Sequence, residues 1–251
     1  VPLVAVAVVP AARLLLPEAS PAQPEEFIAS TATLRKLVAE TLEGLPPTAT
    51  VLMLVAGDES LVIDASVASL ASYGLPQVAE KVRIDGDLIA AVSARGQAPR
   101  VRSDRLHGDA AVLALLLAAH HPDATLAPVT VPRRANASGL RGIAMGMAAA
   151  IAAVGRDVVV VAAGDLAATL DASSPGYTAE GAADWDARAV TAVRSVDPEA
   201  LGALGPEEAE RVQARGWAPV TVALALARGA DIEFPQVRYL APKGVGQIVA
   251  G

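Results

Sequence analysis

Four consecutive valines in the segment Asp157–Ala163 set the terms for this chain. A β-branched run of that kind, closed by Gly164-Asp165, is the strongest strand in the sequence. It directly follows an Ala-rich helical stretch from about Ser138 to Val154 that Gly155 ends. The same alternation recurs along the chain. Leu3–Val9 reads as a buried strand ending at Pro10. Glu25 and Glu26 then open a helix carrying Ile28, Leu34, Leu37, Val38 and Leu42, which Gly44 and Pro46-Pro47 stop. Thr50–Ala56 is a second strand, ending at Gly57-Asp58-Glu59. Asp85–Arg95 is helical, with Leu88, Ile89 and Val92 on one face. Gly108–His121 is an Ala/Leu helix stopped by Pro122, and Leu126–Val131 is the strand returning from it. Helices are expected at Ala182–Ser195 and from Glu207 through Arg228, with a turn near Asp197-Pro198. The strands Gln236–Leu240 and Val245–Ala250 flank a turn at Pro242-Lys243-Gly244. Strands alternating with helices predict an α/β fold, a central mostly parallel sheet covered by helices on both faces. With no linker composition anywhere, residues 1–251 are expected to form one domain.

Composition narrows the chemistry. Hydrophobic residues make up 53% of the 251 and charged ones 19%, enough for a large core and too apolar for disorder. Aromatics are only 3%, so the core is Val, Leu, Ile and Ala, with few rings for stacking on bases or sugars. A net charge of −7 without a Lys/Arg-rich run argues against nucleic acid as a partner. Cysteine is absent, which excludes disulfides, thiolate metal sites and a cysteine nucleophile, and fits a cytoplasmic protein. Ala110–Ala119 is too short to span a membrane, and Gly142–Gly164 contains Arg156 and Asp157, so no bilayer-spanning segment is expected. The start, Val1-Pro2-Leu3, has neither an initiator Met nor a basic region and reads as a trimmed start rather than a signal peptide. Neither a G-x-S-x-G elbow nor a phosphate-binding G-x-x-x-x-G-K-[ST] occurs, and the glycines at Gly142 and Gly146 fall inside a helical pattern.

In α/β folds ligands sit beyond the carboxyl ends of the strands, which points to the loops Pro10–Arg13, Gly57–Ser60 and Gly164–Thr169. Only three histidines exist, His107, His120 and His121. The adjacent pair at the end of an apolar helix reads as solvated and favoured by the helix dipole. His107, just before Gly108 at a helix start, is open to a capping or a ligand-binding role. Asp184 and Asp186 are expected to cap the helix that follows.

Four motifs, in order along the chain, resemble one family. Val8-Val9-Pro10-Ala11-Ala12-Arg13-Leu14-Leu15-Leu16-Pro17-Glu18 is similar to an opening V-P-H-P-P-L-L-V-P-E segment. Leu106-His107-Gly108 resembles a D-H-G segment. Ala163-Gly164-Asp165-Leu166-Ala167-Ala168-Thr169-Leu170, with Pro175-Gly176-Tyr177 and Asp184-Trp185-Asp186, is similar to S-G-D-L-S-H-R-L and its continuation. Tyr239-Leu240-Ala241-Pro242-Lys243-Gly244-Val245-Gly246-Gln247 resembles a terminal Y-E-x-P-x-G-V-G-Y. The family is that of the class III extradiol dioxygenase catalytic subunits and their LigB-like relatives, which include the Memo proteins. The resemblance implies a LigB-like α/β fold and, for active members, Fe(II) held by two His and one Glu.

The departures fall on that chemistry. Ala11 stands where the resemblance puts the first histidine, and Gly57-Asp58-Glu59-Ser60 offers no second one. Leu240 replaces the carboxylate, and Ala168 the acid/base histidine. The implied function is therefore a non-catalytic relative that keeps the fold and cleft without a cofactor, binding a small molecule or a protein partner. Arg13 would give such a pocket an anion preference, or simply point to solvent. Two alternatives stay open. One is an active enzyme with a site rebuilt from Asp58, Glu59, His107 and Asp165, with Thr169 lining the same cleft; the economical role for Asp165 is a structural hydrogen bond to backbone N–H groups. The other is a structural or regulatory subunit, as a homodimer or in a complex.

Overall fold

In a computed structural model of the chain, residues 2–19, 25–47, 50–95 and 98–251 are described. The end of the Pro-rich stretch, residues 20–24, lies outside them. The strands are β1 (Leu3–Val9), β2 (Thr50–Gly57), β3 (Leu61–Asp64), β4 (Val67–Leu70), β5 (Leu75–Lys81), β6 (Arg83–Ile84), β7 (Arg100–Arg102), β8 (Thr125–Pro132), β9 (Val158–Ala163), β10 (Val237–Leu240) and β11 (Gln247–Ala250). The helices are α1 (Glu25–Glu43), α2 (Gly86–Ala94), α3 (Gly108–His120), α4 (Ala137–Val154), α5 (Ala182–Arg194), α6 (Pro198–Gly202), α7 (Pro206–Arg211) and α8 (Trp217–Gly229).

One sheet runs in the order β10-β11-β1-β9-β2-β8-β3-β7, with β6 also paired to β8. Its centre is parallel: β1 and β2 flank β9, and β8 follows β2. The antiparallel pairs are β10–β11, β11–β1 and β3–β8. β4 and β5 form a separate hairpin. The valines of β9 are all fully buried, because both faces of the sheet are covered. Val8, Leu52, Leu54, Val160 and Ala162 face a core shared with α2, α4, α5, α6 and α8. Their sequence neighbours Ala7, Val9, Met53, Val161 and Ala163 face α1 and α3. The period-2 alternation of a strand thus splits one apolar run between two cores.

α4 has the length and apolar composition to cross a bilayer, yet Leu140, Ile143, Met147 and Ile151 pack into the core. Among the described residues it is the one helix that passes that test.

The strands and helices read from the sequence are found, with three differences. The single helix expected from Glu207 through Arg228 is two, α7 and α8, separated at Val212–Gly216. Gln213 there takes φ +57°, and the Gly216 N–H donates to the Asp165 carbonyl at 2.6 Å. A β-carbon on Gly216 would stand 2.6 Å from that oxygen, so the break seats the loop against the end of β9. The expected turn at Asp197-Pro198 opens the short helix α6, with Asp197 accepting from the Glu199 and Ala200 amides. Residues 61–102 hold five short strands, β3 to β7, that the sequence pattern does not show, since β5 and β7 are largely exposed and carry mixed polarity.

Candidate functional site at the strand ends

The carboxyl ends of β1 and β9 meet the start of α3 and the loop before α8. Asp165, one residue past Gly164, turns its carboxyl back across the sheet, and its Oδ2 accepts the Ala11 N–H at 2.9 Å. Its backbone bridges Gln247 in antiparallel fashion, so the two side chains leave the same face. Asp109, in the first turn of α3, is 8% exposed and ion-paired to Arg215 at 2.9 Å. The Tyr73 hydroxyl hydrogen-bonds Asp109, and the Arg13 guanidinium lies 5.6 Å from the centre of the Tyr73 ring. Arg13 therefore stacks on an aromatic face rather than extending freely into solvent, a contact of about 0.5–1 kcal/mol at an exposed site.

Electrostatics at this pole follow from crowding two carboxyls against one guanidinium. Burial, then the Asp109 charge, push the Asp165 carboxyl up to about 6, against the pull of the Ala11 N–H and Arg215. Burial raises Asp109 as well, and Arg215 offsets part of that. Tyr73 is raised by burial and by Asp109. Gln247 is 1% exposed, and its side-chain oxygen has no hydrogen-bond partner.

The other sequence candidates are placed elsewhere. Asp58 is 80% exposed and pairs with Arg133 at 2.8 Å. Glu59 takes part through its carbonyl, which accepts the Thr130 hydroxyl at 2.7 Å. The charges that act most on Asp165 come from Asp109 and Arg215, not from these two. His107 occupies the N-cap of α3 but is exposed, and its ring makes no capping bond. Thr169 is fully buried and donates to the Val212 carbonyl at 3.2 Å, a tie within the fold rather than a cleft wall. Of the predicted residues, the structure brings together Arg13 and Asp165. Tyr73, Asp109, Arg215 and Gln247 complete the group. Asp109 and Gln247 adjoin or belong to quoted motifs, whereas Tyr73 and Arg215 sit in loops that carry no pattern of their own.

Two further expectations are corrected. Asp186 does not cap α5, which starts at Ala182 with Gly181 before it. It is 1% exposed; its Oδ1 accepts the Ala167 N–H at 2.9 Å and its Oδ2 the Tyr239 hydroxyl at 2.6 Å. Burial pushes its carboxyl up to about 6 against those two hydrogen bonds. His120 and His121 are not a free solvated pair. His120 lies 3.3 Å from Glu43, and the His121 ring reaches the Leu42 carbonyl at 2.6 Å, satisfying an end carbonyl of α1.

Where the resemblance implies iron ligands, Ala11 is buried, and Leu240 is partly buried across the strand pair from Gln247. Ala168 contributes its backbone N–H to Val212. Methyl and isobutyl groups present no lone pair, so this donor set does not fit Fe(II). Among the described residues no three His, Asp or Glu side chains converge as metal ligands. A separate groove of about 390 Å³ between α4 and α8 is mostly apolar, and its two cationic residues, Arg228 and Arg141, lie 2.9 and 3.9 Å from Glu199.

Neither a family model nor a curated protein matches the chain. Among solved structures, the uncharacterized protein JW3007 from Escherichia coli K12 is similar over 98% of both chains, at 11% identity and a TM-score of 0.59. That likeness concerns the fold: a single α/β architecture built on a mostly parallel sheet.

Proposed function

We propose that this chain is a non-catalytic relative of the extradiol dioxygenases, which uses the strand-end pole around Arg13, Tyr73, Asp109, Asp165 and Arg215 to bind a small molecule or a protein partner. The observation that carries the reading is the fate of the groups at that pole. Ala11 offers a backbone N–H where the resemblance implies an imidazole, and that N–H is taken up by Asp165. Leu240 offers hydrocarbon where a carboxylate is implied. Arg13 forms no ion pair among the described residues, which favours an anionic group on the ligand. Absence of cysteine fits a cytoplasmic setting. The test is elemental analysis of protein purified without chelators, together with oxygen uptake on a catecholic compound. Far less than one Fe, Zn or Mn per chain and no uptake are expected; a stoichiometric transition metal or catechol-dependent uptake overturns the proposal.

A rebuilt enzyme is the second reading, and it draws on one observation: Asp109 and Asp165 are neighbouring carboxyls, both raised. Such a site would centre on those two residues and not on Asp58 and Glu59, which are tied to Arg133 and Thr130.

A further inference from the structure

Asp165 is surrounded by groups whose capacities are nearly all committed. The Ala11 N–H, from the loop after β1, occupies Oδ2. From α3 it faces Asp109, a like charge. From the loop before α8 it faces Arg215, whose guanidinium is engaged with Asp109 at 2.9 Å. Tyr73 hydrogen-bonds Asp109, and Arg13 lies over the Tyr73 ring. From β11 comes Gln247, which shares its face through the backbone bridge and whose amide, as it stands, donates an N–H to the Asp165 carboxyl. The buried Gln247 oxygen lacks a donor. A buried acceptor without a donor is destabilising, and the O and N of an amide exchange places by a half-turn. One proton would answer both problems: it removes the charge that Asp109 opposes, and it provides an O–H for the orphaned oxygen.

We propose that Asp165 and Gln247 form an acid–amide pair in which the Asp165 carboxyl keeps its proton and donates it to Gln247 Oε1, making a proton-operated latch across the ends of β1, β9 and β11. In the loaded state Oδ2 accepts from Ala11 while Oδ1–H donates to Gln247. Losing the proton turns the amide, so that its N–H faces the carboxylate, and makes the pole one unit more negative beside Asp109. The charge presented next to Arg13 is thereby set by pH. This pair stands on its own geometry, whether or not the pole binds a ligand.

The full chain, with ¹³C-labelled aspartate carboxyls and the Asp165 signal assigned through Asp165→Asn, tests it by NMR titration. The Asp165 carboxyl is expected to titrate with a midpoint above that of an ordinary carboxylate by about two units or more. Gln247→Leu, which removes the acceptor, is expected to lower that midpoint. A midpoint near the ordinary carboxylate value overturns the latch, and so does a midpoint that is unchanged or raised in Gln247→Leu, since that makes Gln247 no acceptor. Should the leucine variant not fold, the infrared band of protonated carboxyls in the unmodified protein decides: at pH 5 it must lose intensity in Asp165→Asn, and an unchanged band refutes the latch.

Discussion

The Ala11 N–H and the Asp165 carboxylate meet at 2.9 Å although 154 positions separate them in sequence. This bond closes the loop after β1 onto the end of β9. Replacing Asp165 with Ala strands the buried Ala11 donor and takes from Gln247 the side chain it faces. A loss of about 1–3 kcal/mol is expected in urea unfolding. Asp165→Asn, which keeps an oxygen for Ala11, is expected to lose much less. Equal losses in the two variants would show that the bond does not matter.

Tyr239 and Asp186 give a second case. Tyr239→Phe leaves the buried Oδ2 of Asp186 without its donor, at a cost of about 1–3 kcal/mol. The Asp186 carboxyl should also move further up, because the hydrogen bond that held it down is gone. Chemical denaturation at pH 7 measures the first effect, and the pH profile of the same unfolding measures the second.

The sign of the acid response follows from those carboxyls. Asp186 sits at about 6 in the fold, against an ordinary 3.8. Its contribution to stability is therefore fully present below the unfolded value and is lost as pH rises through about 6. Relative to the unmodified protein, Asp186→Asn should gain stability steadily between pH 4 and 7, whatever its starting level. A difference that stays flat over that window would place the Asp186 carboxyl in the ordinary range.

Asp85 runs the other way. It is 6% exposed, caps α2 through the Leu88 N–H at 2.9 Å, and pairs with Arg156 at 2.5 Å. Burial pushes its carboxyl up, but the hydrogen bonds of Arg156, Leu88, Thr50 and Thr125 together hold it below the usual value. Its stabilisation is present above the unfolded pKa and is lost as pH falls through the folded one. Arg156→Ala, which uncovers a buried carboxylate, should cost about 3 kcal/mol at pH 7 and distinctly less in strong acid. Thermal unfolding at the two pH values separates the two costs.

Gly216→Ala tests the break between α7 and α8. The new methyl would press on the Asp165 and Ala163 carbonyls, which are backbone and cannot swing aside. A destabilisation of about 1–3 kcal/mol is expected, as for overpacking elsewhere. An unchanged urea midpoint would mean that the loop does not rest on β9 as described.

The central sheet was legible in the sequence because its strands are buried on both faces. Val158 to Ala163 and Leu3 to Val9 announce themselves by unbroken apolar runs. The hairpin of β4 and β5 was not, because a partly exposed strand such as Leu75–Lys81 alternates weakly and carries Pro76. At the pole, Arg13 and Asp165 could be named because strand ends locate ligand sites. Tyr73 and Arg215 could not, since their role depends on where two distant loops come to rest. Asp186 looked like a helix cap by position. Only the packing of β10 against the helix shows that its carboxyl turns inward to Tyr239.

The strand β1 lies between β9 and β11, pairing with Val158–Ala163 on one side and meeting Ala250 across Val8 on the other. A ribosome makes the first of these partners some 150 residues after β1, and the second later still. Val6, Val8 and Val9 must therefore wait as an unpaired, apolar segment until both have emerged. Folding of such a topology is slow and exposed to aggregation, and chaperone dependence should be greatest for nascent chains that stop short of β9.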